Sequence, residues 1–272
     1  MSDKGPQPDS PGCYLPRSGS GASTFVLVHG GRHGGWCWRS VAAVLRQAGH
    51  IVYTPTLTGL GERAHLLSPA IGLDTHVQDL VGVFEYEELT DVVFVSHSYG
   101  GMVCSGAMEQ VADRVRQFVL VDAHLPREGE SLMDLVAAGV EPKVRDMVAR
   151  QGEGWFLPTE DASFWGLQDS EQIAWVNSKI TPQPFKTYTD PSGPTARAWT
   201  HPGTFIECQP SMHNPVELAR LHARSKVDPE FGYRTMAGGH EPMVTNPAVL
   251  ASLLLDAGAT ARTPLRGSRE PA

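Results

Sequence analysis

The chain has 272 residues, 41% of them hydrophobic and 19% charged, which is enough to bury one sizeable core and too apolar for a disordered segment or a repeat array. A formal charge of -8 at pH 7 gives no basic surface for nucleic acid or an anionic membrane, so a small, weakly charged molecule is the expected partner. Cys13, Cys37, Cys104 and Cys208 lie far apart with no metal-like pairing, which argues against a zinc site or disulfide framework and for reduced thiols in a cytoplasmic protein. No leader-like segment and no apolar run of about 18 residues is present, so neither export nor membrane insertion is expected, and a homodimer is compatible with this composition.

Residues 1–22 and 259–272 are rich in Gly, Pro, Ser or Arg and read as disordered tails around a domain at 23–258. Within it, Thr24 to His29 is a short apolar run ending at Gly30-Gly31, the pattern of a buried parallel strand. Trp38 to Gln47 reads as a helix stopped by Gly49, Ile51 to Thr54 as a strand and Thr75 to Tyr86 as a helix. A strand at Val92 to Val95, a helix at Gly100 to Val111 and a strand at Phe118 to Val121 follow. Strands alternating with helices imply parallel pairing through right-handed crossovers, hence an α/β fold with a mostly parallel sheet flanked by helices.

Residues of about 126–202 break this rhythm with many prolines and with Trp155, Phe156, Phe164, Trp165, Trp175, Phe185, Tyr188 and Trp199, and read as an inserted helical cap. The sheet resumes at Thr204 to Cys208 and at Tyr233 to Met236, and a helix from Pro247 to Ala257 closes the domain.

The central chemical signal is Ser96-His97-Ser98-Tyr99-Gly100-Gly101, set between a strand and a helix. It is a G-x-S-x-G nucleophile elbow with Ser96 at the first glycine, a mild departure because the tight turn requires only small flanking residues. A serine hydroxyl is a weak nucleophile unless a histidine takes its proton. His240, in the loop Gly238-Gly239-His240-Glu241 after the last predicted strand, is the candidate base. Two backbone N–H groups must meet the oxyanion, one after the nucleophile and one after the first strand, which points to Tyr99 and Gly31. The glycine-rich run His29 to Trp36 is no phosphate loop, since it lacks both the Lys-Ser/Thr pair and the G-x-G-x-x-G spacing. His29 and His33 are placed near the site, and His33, Trp155 and Trp165 are the candidate substrate contacts.

His29-Gly-Gly-Arg-His-Gly-Gly-Trp-Cys-Trp38, Ser96 to Gly101, Phe205-Ile-Glu-Cys208 and Gly239-His240 together resemble the α/β-hydrolase family of plant methyl-ester esterases and hydroxynitrile lyases with its bacterial salicylate-esterase-like branch, over about Thr24 to Ala257. The resemblance implies Ser98 as nucleophile, His240 as base, and Gly31 and Tyr99 as oxyanion donors. It does not supply the acid, because the family position three residues after the cysteine holds Ser211. A neutral serine cannot balance an imidazolium, so another carboxylate is required. Asp122, at the C-terminal end of the strand beside the nucleophile strand, is the choice, with Glu207 and Asp228 as alternatives.

Ester cleavage of a small apolar or aromatic molecule through an acyl-enzyme is the expected reaction, with no metal or organic cofactor implied. Lactonase, thioesterase or C–C hydrolase chemistry, a cofactor-free cyclase using His240 alone, and a noncatalytic ligand-binding module share the fold. Cyanohydrin cleavage fits poorly. The related lyases carry a lysine after the catalytic histidine and a threonine in the first oxyanion loop, where this chain has Glu241 and Gly31.

Overall fold

Thr24–Val28 forms β1, and its alternation sends Phe25 and Leu27 to one face of the sheet and Val26 and Val28 to the other, all of them fully buried. The computed structural model describes residues 21–259, so most of both expected tails, and Cys13, lie outside the described residues. Gly35–Trp38 winds as a tight 3-10 turn before α1, Arg39–Gln47, which shortens the expected helix by one residue. Then come β2, Ile51–Tyr53; α2, Leu73–Tyr86; β3, Val92–His97; α3, Gly100–Val111; and β4, Val115–Val121.

The segment between β4 and the next sheet strand carries α4, Leu132–Leu135; α5, Val140–Gln151; β5, Phe156–Leu157; α6, Ser170–Asn177; β6, Gln183–Pro184; α7, Lys186–Thr189; and α8, Ala196–Thr200. β5 and β6 pair antiparallel as a separate small sheet. The main sheet then regains β7, Gly203–Gln209, and, after α9, Pro215–Val227, adds β8, Phe231–Ala237. α10, Pro242–Thr245, and α11, Pro247–Ala259, end the described chain, with α11 running two residues past the expected Ala257.

α9 is absent from the sequence reading, although its start is marked. Asn214 caps it by accepting from Val216 N at 2.9 Å, Pro215 opens the first turn, and Glu217 follows.

The six strands lie in the order β2-β1-β3-β4-β7-β8, every neighbour parallel. The α/β-hydrolase expectation for the fold holds. Helices α2, α3 and α9 contribute to a core on one face around Phe94, Phe118 and Phe205, and α1 and α11 cover Val93, Val119 and Ile206 on the other. Each fully buried aliphatic or aromatic side chain contributes about 1.5–3 kcal/mol, which fixes the sheet as a rigid floor. The chain leaves β1 toward β2 on one side and returns to β3 on the other, so a crevice opens above the C-terminal ends of β1 and β3. Among the described residues no helix is long and apolar enough to cross a membrane, and Cys37, Cys104 and Cys208 are buried free thiols.

Candidate active site

The register pairs His97 with Val121 and Val121 with Ile206, so Ser98 and Asp122, each one residue beyond its strand, emerge side by side at the sheet's C-terminal edge. Both take left-handed backbone conformations, with φ of 52° and 41°. Non-glycine residues in that region cost about 1–3 kcal/mol each and persist only where the surroundings hold them. Here Ser98 O accepts from Gly101 N at 3.0 Å and from His124 N at 3.1 Å, tying the elbow to the turn after β4. Gly101 must be glycine, because a Cβ would overlap His124 O.

His240 reaches this edge from the loop after β8. His97, the residue before the serine, donates from Nε2 to His240 O at 2.7 Å and so clamps the loop to the elbow. His240 Nδ1 donates to Asp122 Oδ2 at 2.6 Å, which leaves Nε2 to accept from Ser98 Oγ at 2.9 Å. The structure therefore brings Ser98, His240 and Asp122 together in hydrogen-bonded line. The alternative carboxylates are engaged elsewhere: Glu207 accepts from Tyr233 Oη at 2.8 Å and Asp228 from Arg224 Nε at 3.1 Å. Ser211 accepts from His213 N at 3.2 Å and makes no described bond to His240.

The loop after β1 is held by its own histidines. His29 Nε2 accepts from Leu57 N at 3.1 Å and Nδ1 donates to Gly30 O at 2.7 Å. Because a peptide is planar and trans, the N–H of Gly31 faces away from that carbonyl. His33 Nδ1 donates to Gly31 O at 2.8 Å, while its ring lies between Trp36, stacked at 5.2 Å, and Trp165 at 5.1 Å.

A cavity of about 420 Å³ opens above Ser98, Tyr99 and His240. Leu132, Met133, Val136, Val144 and Leu157 form an apolar wall, Phe164, Trp165 and Tyr188 supply rings, and Arg32, His124, His213 and Asn214 are polar. Of the candidate substrate contacts only Trp165 lines it. His33 does not line it: its ring contacts the two tryptophans and donates to the Gly31 carbonyl. Trp155 also lies outside the lining: its ring packs on Phe156 at 5.1 Å and its backbone carbonyl accepts from Phe185 N.

The sequence reading missed the buried group behind Asp122. Glu217 of α9 accepts at Oε1 from Leu125 N at 3.0 Å and at Oε2 from His124 Nδ1 at 2.8 Å and His213 Nδ1 at 3.0 Å. His213 Nε2 stands 3.7 Å from Asp122 Oδ1, beyond a hydrogen bond but close enough for charge to act. Burial by itself would lower the His213 pKa, yet the Glu217 hydrogen bond and the charges of Asp122 and Glu217 outweigh it and raise the imidazole to about 9. Burial likewise opposes ionisation of Glu217 and Asp122. The hydrogen bonds and charges of the histidines they face reverse that and hold both carboxyls below their usual range. His124, His213 and Glu217 are the described residues whose atoms converge as metal ligands could. With one carboxylate oxygen at hydrogen-bond distance from both imidazoles, an ion-paired network accounts for them.

Glu241, the residue after His240, is buried with neither carboxyl oxygen hydrogen-bonded, and burial followed by the Asp122 charge raises it to about 8. His33 Nε2 approaches it at 3.5 Å, but burial lowers His33 to about 4, so between these values the pair is two neutral groups rather than an ion pair.

The alpha/beta hydrolase family matches residues 25–253. A carbendazim hydrolyzing esterase of Nocardioides sp. (strain SG-4G) is 42% identical over 179 residues, covering 62% of this chain and 72% of that protein. Methylesterase 10 of Arabidopsis thaliana is 26% identical over 260 residues, covering 86% and 91%. An extracellular alpha/beta-hydrolase from a Paenibacillus species, described as sharing structural and functional homology with tobacco salicylic acid binding protein 2, superposes with a TM-score of 0.75 at 22% identity over 87% of this chain and 99% of its own. At that identity the superposition speaks to the fold.

Proposed function

The chain belongs to the alpha/beta hydrolase family and is a carboxylic ester hydrolase, and from that premise we propose that it works through an acyl-enzyme on Ser98, with His240 as base and Asp122 as the acid that orients and charge-balances it. The observation that carries this reading is the unbroken line from Asp122 Oδ2 to His240 Nδ1 at 2.6 Å and from His240 Nε2 to Ser98 Oγ at 2.9 Å. Ser98 Oγ attacks the acyl carbon as its proton passes to His240 Nε2, and the carbonyl electron pair moves onto oxygen. Gly31 N–H and Tyr99 N–H receive that oxyanion. His240 then gives the proton to the departing alcohol, and the same imidazole activates water to release the acid.

The substrate we assign is an ester of a small apolar or aromatic molecule. The apolar wall and the rings of Phe164 and Trp165 support it, as do the carbendazim hydrolyzing esterase and the methylesterase among its relatives. The noncatalytic alternative drew its support from Ser211 at the family's acid position, and a carboxylate at 2.6 Å from His240 removes that support. At the position where a lyase needs a lysine stands Glu241, buried and protonated at neutral pH.

Turnover of 4-nitrophenyl acetate and of methyl benzoate tests the reading. A pre-steady-state burst equal to the enzyme concentration is expected in the wild type, with Ser98→Ala losing at least about 10³-fold in kcat. A Ser98→Ala enzyme retaining most of its activity would remove the acyl-enzyme.

A further inference from the structure

Tyr188 of α7 packs against both residues whose amides are assigned to the oxyanion. Its ring lies parallel to that of Tyr99, with centroids 5.3 Å apart and planes 8° from coplanar. Tyr99 cannot drift, because its hydroxyl donates to His76 Nδ1 at 2.8 Å while His76 Nε2 donates to Thr58 O at 2.9 Å. The other end of Tyr188 reaches the loop after β1. A Cβ built on Gly31 would overlap Tyr188 Oη and come within 3.2 Å of its Cζ.

The segment that carries Tyr188 is tied to the same loop. Gln183 Oε1 accepts from Arg32 N at 2.6 Å, and Gln183 Nε2 donates to Thr187 Oγ1 at 2.9 Å. Tyr188 lines the cavity together with Ser98 and Arg32, so its hydroxyl shares the space above the nucleophile.

We propose that Tyr188 Oη–H is a third hydrogen-bond donor to the ester oxygen that becomes the oxyanion, and that Gly31 is glycine because this hydroxyl occupies the space a side chain would take. The inference rests on the acyl-enzyme reading of Ser98. In the acylation step the Ser98 Oγ–carbon bond forms, the carbonyl pair moves to oxygen, and the serine proton goes to His240. Tyr188, like the two amides, keeps its proton and contributes a bond that shortens as charge develops. On collapse the pair returns, the carbon–alkoxide bond breaks, and the alcohol takes the proton from His240.

The test is a cycle of Tyr188→Phe, Gly31→Ala and the double variant on 4-nitrophenyl acetate, with fluorophosphonate titration of Ser98 to count active sites. Tyr188→Phe, which keeps the stacked ring, is expected to lower kcat about 10²-fold with KM little changed, the size of one oxyanion donor. Gly31→Ala is expected to lose comparably, since its methyl displaces the hydroxyl, and the double variant to be no worse than Tyr188→Phe alone. A merely structural tyrosine would lower the melting midpoint and leave kcat per titrated site in place. A Tyr188→Phe kcat within about twofold of wild type, or losses that multiply in the double variant, overturns the proposal. Failure of the acyl-enzyme reading looks different: wild-type Ser98 would not be labelled at all.

Discussion

The Asp122 side of His240 and the Glu241 side are equally buried, at 0% and 1% exposure, and carry opposite electrostatics. Asp122 accepts from His240 and Cys208 N and faces an imidazolium held by Glu217, so it stays ionised. Glu241, a direct chain neighbour of His240, has no hydrogen bond on either oxygen and a neutral His33 beside it, so it keeps its proton at neutral pH. Burial is common to both carboxyls, and the partners decide which of them carries charge. In the proposed mechanism one negative charge, aimed at Nδ1, stands behind the base, and the second acid adds none.

Breaking the charged side is expected to have the largest effect. Asp122→Asn lowers kcat about 10³- to 10⁴-fold, because the amide no longer holds the imidazole in its Nδ1–H form or balances the imidazolium, as steady-state rates at fixed pH will show.

Glu217→Ala attacks the same side by removing the hydrogen-bonded partner of the buried His213 imidazolium and leaving it only the Asp122 charge at 3.7 Å. Chemical denaturation is expected to show a loss of about 3–5 kcal/mol. The pH dependence identifies the cause. His213 titrates at about 9 in the folded protein against an ordinary 6.5, so the stability it contributes is complete below 6.5 and is lost as pH rises through 9. Glu217 is held below its ordinary 4.5, so its share is present above that value and lost as pH falls. The deficit of Glu217→Ala is therefore greatest between these limits and narrows toward pH 9; a pH-independent deficit would mean lost packing alone.

Glu241→Gln should have the smallest effect, and of opposite sign. The folded carboxyl titrates at about 8 against 4.5 ordinarily, so keeping it buried costs more as pH climbs above 4.5 and costs the full amount above 8. The amide removes that cost. The melting midpoint is expected to rise by several degrees at pH 9 and hardly at pH 5, with kcat at pH 7 nearly unchanged. A fall in stability at pH 9 would mean that Glu241 has a partner in solution.

The sheet and the elbow were legible in the sequence because their signals are local. Alternating burial in Thr24–Val28 and small residues around Ser98 follow from strand period and from the space inside a tight turn. Asp122 was readable despite Ser211, since in a parallel sheet a residue just past one strand lies beside the residue just past its neighbour. The cavity wall was not. Tyr188, His213 and Glu217 reach the site from α7, the loop after β7 and α9, and no short-range pattern says which way a ring or an imidazole points. His33 and Trp155 were assigned to substrate for the same reason, being rings in the right segments that the fold spends on one another and on backbone carbonyls. Glu217 carried one usable sign, the Asn-Pro-x-Glu helix start, whose acidic side chain reaches across to Leu125 N rather than back to its own cap.

The central claim is that one hydroxyl, on a strained bend and hydrogen-bonded to His240, performs the attack. Reaction with a fluorophosphonate followed by peptide mass mapping tests it most directly. The account predicts a single adduct on the peptide containing Ser98, absent from Ser98→Ala and formed far more slowly in Asp122→Asn. An adduct on any other residue, or labelling that survives Ser98→Ala, would contradict it.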